Sequence, residues 1–80
     1  MNNSDGINVV VCSDLEHENL VAEITINGRF IGLVTDEPNK DLCFEIPQGQ
    51  LSLESVSLDL FEKAIAIALR RLEDMGPKET

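Results

Sequence analysis

Asn27-Gly28 stands between two runs of alternating apolar residues, LVAEITI and RFIGLV. Both residues tolerate positive φ, so the pair predicts a two-residue type I′ turn joining two antiparallel strands. A tight turn fixes register. Ile26 is then expected opposite Arg29, Thr25 opposite Phe30, Ile24 opposite Ile31, Glu23 opposite Gly32, Ala22 opposite Leu33 and Val21 opposite Val34. In that register Ala22, Ile24, Ile26, Ile31 and Leu33 line the core. Val21, Glu23, Thr25, Phe30 and Val34 occupy the other face, where Gly32 leaves a gap beside Phe30 that permits close approach of another chain.

The flanking segments extend this hairpin. INVVVC at residues 7–12 is a β-branched run that suits a strand, and the acidic stretch SDLEHEN connects it to the hairpin. DEPNKD has turn composition, and LCFEI returns as a strand with Leu42, Phe44 and Ile46 inward and Cys43 and Glu45 outward. Leu51, Leu53 and Val56 suggest an irregular edge segment. Asp59 and Glu62 have capping-box spacing, so a helix is expected to start at Asp59. Phe61, Ala64, Ile65, Ala68 and Leu72 form its apolar stripe, Arg70 and Arg71 complement its dipole, and Gly76-Pro77 stops it. A stripe of this width is expected to cover the domain's own sheet. The fold class is α+β: an antiparallel three- to four-stranded β-meander with one C-terminal amphipathic helix packed on one face.

Eighty residues allow one small domain, expected over residues 7–75 between disordered tails at 1–6 and 76–80. No segment approaches the roughly 20 apolar residues of a membrane span, and residues 1–5 lack the pattern of a signal peptide, so a cytoplasmic location is expected. Charge is unevenly spread. Residues 1–59 carry eleven acids against Arg29 and Lys40, a sum of −9, whereas residues 60–80 balance four acids with four bases. That excess disfavours nucleic acid and anionic membranes and favours a basic protein partner, although acidity for solubility alone gives the same composition.

Catalytic groups are scarce. His17 is the single histidine, and its neighbours Asp14, Glu16 and Glu18 make a poor metal cage, so a solvated loop histidine and no bound metal are expected. Cys12 and Cys43 lack ligand or disulfide spacing and are expected to be reduced, buried and inert. Phosphate-loop, dinucleotide, HExxH and EF-hand patterns do not occur, so neither a cofactor nor an enzymatic activity is expected. The chain also lacks Trp and Tyr, the usual stacking platforms for sugars and single strands.

Recognition of another macromolecule remains. An acidic rim from Asp14, Glu16, Glu18, Asp36, Glu37 and Asp41, with Glu23 and Glu45 on the outward sheet face, would surround an apolar anchor of Val21, Phe30 and Val34. LVAEITINGRFIGLVTDE, DLCFEIP and SLDLFEKAIAIALRRLE cover most of residues 20–73, and in this arrangement the chain resembles the small immunity proteins of bacterial polymorphic-toxin and contact-dependent inhibition systems. The resemblance implies a cytoplasmic inhibitor that binds a cognate toxin effector domain and blocks its active site or substrate cleft, without catalysis of its own. It assigns no residue a role. Two alternatives belong to other classes: a homo-oligomeric module, a homodimer being its simplest form, that pairs strand edges or the Phe30 face, and a regulator binding small molecules or cations through the acidic loops.

Overall fold

The computed structural model of the chain describes residues 6–47 and 55–75. The expected tails at 1–5 and 76–80, the Leu51 and Leu53 segment and the Gly76-Pro77 stop lie outside them. Strands β1 (Ile7–Cys12), β2 (Val21–Ile26), β3 (Arg29–Thr35) and β4 (Cys43–Glu45) form one antiparallel sheet in the order β1-β2-β3-β4, followed by helix α1 (Leu58–Met75). This is the expected α+β meander with one helix packed on the sheet. The turn is where Asn27-Gly28 places it, with φ of 51° and 80°. Gly6, expected in a tail, instead accepts a hydrogen bond from the Asn27 backbone N–H at 2.9 Å.

Register departs from expectation two residues beyond the turn. Ile26 pairs with Arg29 and Thr25 with Phe30, but Ile24 then pairs with Gly32, Glu23 with Leu33, Ala22 with Val34 and Val21 with Thr35. Ile31 is the extra residue of a β-bulge, and it is buried. The bulge inverts the facing of everything after it. Val34, expected outside, lies in the core at 3% exposure, while Leu33 falls in the cross-strand row of Glu23 and Glu45 on the face away from the helix.

Gly32 explains why the bulge sits there. Its φ is +154°, and a Cβ at this position would overlap the Phe44 ring and lie 2.8 Å from the Glu45 carbonyl oxygen. The gap expected beside Phe30 is therefore filled by Phe44 of β4, on the core side. Phe44 in turn meets Phe61 of α1 edge to face, with ring centroids 5.2 Å apart and planes at 86°.

The core combines Ile7, Val9, Ala22, Ile24, Ile26, Ile31 and Val34 with Ala64, Ala68 and Leu72 of the helix. Ala64 and Ala68 are fully buried, which lets the helix backbone approach the sheet, chiefly over β1 and β2. Helix α1 starts one residue before Asp59. Ser57 is the cap, accepting the Leu60 N–H on Oγ at 3.3 Å and the Phe61 N–H on its carbonyl at 2.9 Å. Asp59 lies inside the first turn, where its charge still complements the dipole. Leu42 and Ile46 flank the short β4 and are exposed, not inward, because pairing ends at Cys43 and Glu45.

Both sheet edges are blunted. The Gly6–Asn27 bond sets the alternation of β1, so Asn8, Val10 and Cys12 bond to β2 while the backbone groups of Ile7, Val9 and Val11 turn outward. Arg71 reaches from the helix and donates through Nη1 to the Val9 carbonyl at 2.8 Å. Among the described residues the opposite edge is β4, only three residues long.

Two expectations follow. Gly32→Ala should lower stability by about 1–3 kcal/mol in urea unfolding, because neither the Phe44 ring nor the Glu45 backbone can yield to the added methyl without repacking. Arg71→Ala should cost only about 1 kcal/mol of stability but raise concentration-dependent self-association in sedimentation, since it uncovers an edge carbonyl.

Candidate recognition surface

The sheet face opposite α1 consists of three cross-strand rows. Asn8, Thr25 and Phe30 form the row nearest the Asn27-Gly28 turn; Val10, Glu23, Leu33 and Glu45 the middle row; Cys12, Val21, Thr35 and Cys43 the far row. The two middle members of the far row are covered, while Cys43 at its β4 end is exposed. Val21 is 0% and Thr35 2% exposed, because the β1–β2 connection, residues 13–20, folds back over them. Val21 and Val34 are therefore not surface anchors: one lies beneath this connection, the other beneath the helix. Phe30 remains half-buried on the open face and Val10 is 47% exposed.

Hydrogen bonds to carboxylates hold the connection in place. Glu37 accepts the backbone N–H groups of Glu18 at 2.8 Å and Asn19 at 2.9 Å, and the Asn19 side chain donates to the Asp36 carbonyl. Those two N–H bonds hold the Glu37 carboxyl below its ordinary value of 4.5. The acidic β1–β2 and β3–β4 connections are thereby fastened together at one end of the meander.

His17 makes the second attachment. Its Nδ1 bonds the Asp14 carboxylate, its Nε2 lies 3.1 Å from Glu45 Oε1, and the other Glu45 oxygen accepts from Thr35 Oγ1 at 3.2 Å. The imidazole is not the solvated group expected, since its side chain is only 13% exposed. Its pKa is raised above 6.5, first by the Asp14 bond and then by Glu45, against an opposing contribution from desolvation. A hollow of about 550 Å³ opens beside it, lined by Asp14, Leu15, Glu16, His17, Leu33, Glu45 and Pro47.

The expected site residues thus divide. Asp14, Glu16, Glu18, Asp36, Glu37 and Asp41 come together at the loop end, with Glu45 reached through His17. Glu23 is half-buried in the middle row beside Leu33. Phe30 lies in the turn-end row, roughly 13 Å along the strands from the far row at about 3.3 Å per residue, so the acids do not ring it. Leu15 was not expected at all. It is fully exposed amid the loop acids, and Leu42 beyond the other connection is 55% exposed. An apolar residue between two acids in SDLEHEN is the only sequence signal that could have drawn attention to it.

The arrangement offers contact chemistry. Cys12 is half-buried, and burial followed by the Glu23 charge pushes its thiol up, which keeps it protonated and unreactive. Cys43, expected to be buried, is exposed because β4 is an edge strand and its side chain falls on the open face. Among the described residues, no group of three or more His, Cys, Asp or Glu side chains is placed to hold a metal. No helix among them is long and apolar enough to cross a membrane. Comparison with known proteins gives no family model, curated relative or solved structure that matches the chain.

Glu37→Gln should speed hydrogen exchange at the Glu18 and Asn19 amides. In the parent chain this protection is present above pH 4.5 and is lost as pH falls through the lower folded value of Glu37. The variant should lack that acid step in an exchange series read by NMR.

Proposed function

We propose that this chain is an immunity-like protein that binds and inhibits a basic effector domain, acting in the cytoplasm by occlusion and without catalysis. One observation carries the reading. Two acidic connections, with six acids against Lys40, are bonded into a single end of the sheet that also presents a fully exposed leucine, Leu15. Such an end joins a desolvatable apolar contact to charges that accelerate encounter with a basic surface. Toxin sites that handle nucleic acids or dinucleotides are commonly basic, which makes them complementary to it. The resemblance to small immunity proteins supports the same reading.

Self-association through strand edges is the less favoured alternative. The Val9 carbonyl is occupied by Arg71, β4 is short, and each copy carries a net charge of −9.

The test is co-expression with the C-terminal domain encoded by the nearest large neighbouring gene, scored by growth rescue and co-purification. Rescue with a stable, salt-sensitive complex is expected. Leu15→Glu should weaken that complex at least tenfold with little change in Tm, because Leu15 is fully exposed. Phe30→Glu tests the turn-end row in the same assay: a larger loss of affinity there than for Leu15→Glu would move the interface to the open face. A harmless neighbour, no complex and a salt-insensitive dimer of the chain alone would overturn the reading.

A further inference from the structure

Both ring nitrogens of His17 meet carboxylates: Nδ1 meets Asp14 on its own connection, and Nε2 meets Glu45 on β4. A neutral imidazole has one N–H and one lone pair, so it can donate to only one of them; its other nitrogen would oppose a carboxylate lone pair to lone pair. Only the imidazolium satisfies both. Among the described residues no other cationic group is bonded to either carboxylate oxygen that faces the ring, and Glu37 adds a further negative charge nearby. The proton on His17 is therefore what lets Asp14 of the β1–β2 connection and Glu45 of β4 meet on one ring, with Glu37 of the β3–β4 connection nearby.

We propose that the β1–β2 connection is a proton-operated latch, in which His17 imidazolium bridging Asp14 and Glu45 holds residues 13–19 down beside Leu33, and loss of one proton releases them. This holds whether or not the acidic end meets a protein partner. The sign is that of a base bound more tightly to its proton in the closed state. Latch stability is complete below pH 6.5 and falls as pH rises through the higher folded midpoint of His17. At the acid limit Glu37, whose value is lowered by its two N–H bonds, keeps them until the pH falls below 4.5. The latch is thus tightest in mildly acidic solution and loosens toward alkaline pH.

The chain has one histidine, so the imidazole signal needs no assignment. A proton NMR titration of the full chain should give a midpoint above 6.5. After correction for intrinsic base catalysis, exchange at the Glu18 and Asn19 amides should rise between pH 6.5 and that midpoint, by up to about tenfold per pH unit, and then level off. His17→Gln should abolish this rise. Glu45→Gln, which keeps an acceptor but removes a charge, should lower the His17 midpoint and serves if the first variant fails to fold. A His17 midpoint at or below 6.5, corrected loop exchange that ignores pH, or a midpoint unmoved by Glu45→Gln would overturn the proposal.

Discussion

The Phe44 ring fills the space that a side chain at residue 32 would need, and the rest of the sheet is arranged around that contact. Because glycine stands there, β3 can bulge at Ile31 and still pair with both neighbours. Because β3 bulges, Val34 turns to the helix and Leu33 turns away from it. Phe44 reaches past the glycine to Phe61, so the shortest strand is held to the helix by an aromatic pair as well as by its ladder to β3. Glu45 is then delivered to the far side of the sheet, within reach of His17 and Thr35.

Most of the architecture was readable from the chain. The Asn27-Gly28 turn, the β-branched run at 7–12, the outward Glu45 and the helical stripe each follow from local chemistry that tertiary packing did not override. The bulge was not readable. Turn geometry determines the first two pairs, but the third depends on Phe44, twelve residues further on, which no local pattern around Gly32 reveals. The helix start differs from expectation by one residue: Ser57 and Asp59 are both good caps by type, and it is Ser57 that accepts the first N–H groups.

The acids and the apolar residues expected to share one patch lie apart in the structure. The acids gather because Glu37 bonds backbone groups of a connection eighteen and nineteen residues earlier in the chain, a contact invisible to composition. The apolar residues scatter because the bulge reverses Val34 and the folded connection buries Val21. A single histidine in an acidic loop reads from sequence as a solvated group, and nothing local to His17 says otherwise. Its role depends on Glu45, twenty-eight residues away, meeting it from the next layer of chain.

Within the sheet every strand pairs with its neighbour in sequence, so each ladder closes only a short loop. The Arg71–Val9 bond is of another kind, spanning 62 residues from the first strand to the last helix. Loop-closure entropy makes such a contact the late one in assembly, when the meander has already brought its partners near. It also ties the two elements together: detaching the helix loosens the first strand, and losing the first strand removes a large part of the helix's support on the sheet. For this fold, the margin between native and unfolded is kept where the chain's opening and closing elements meet.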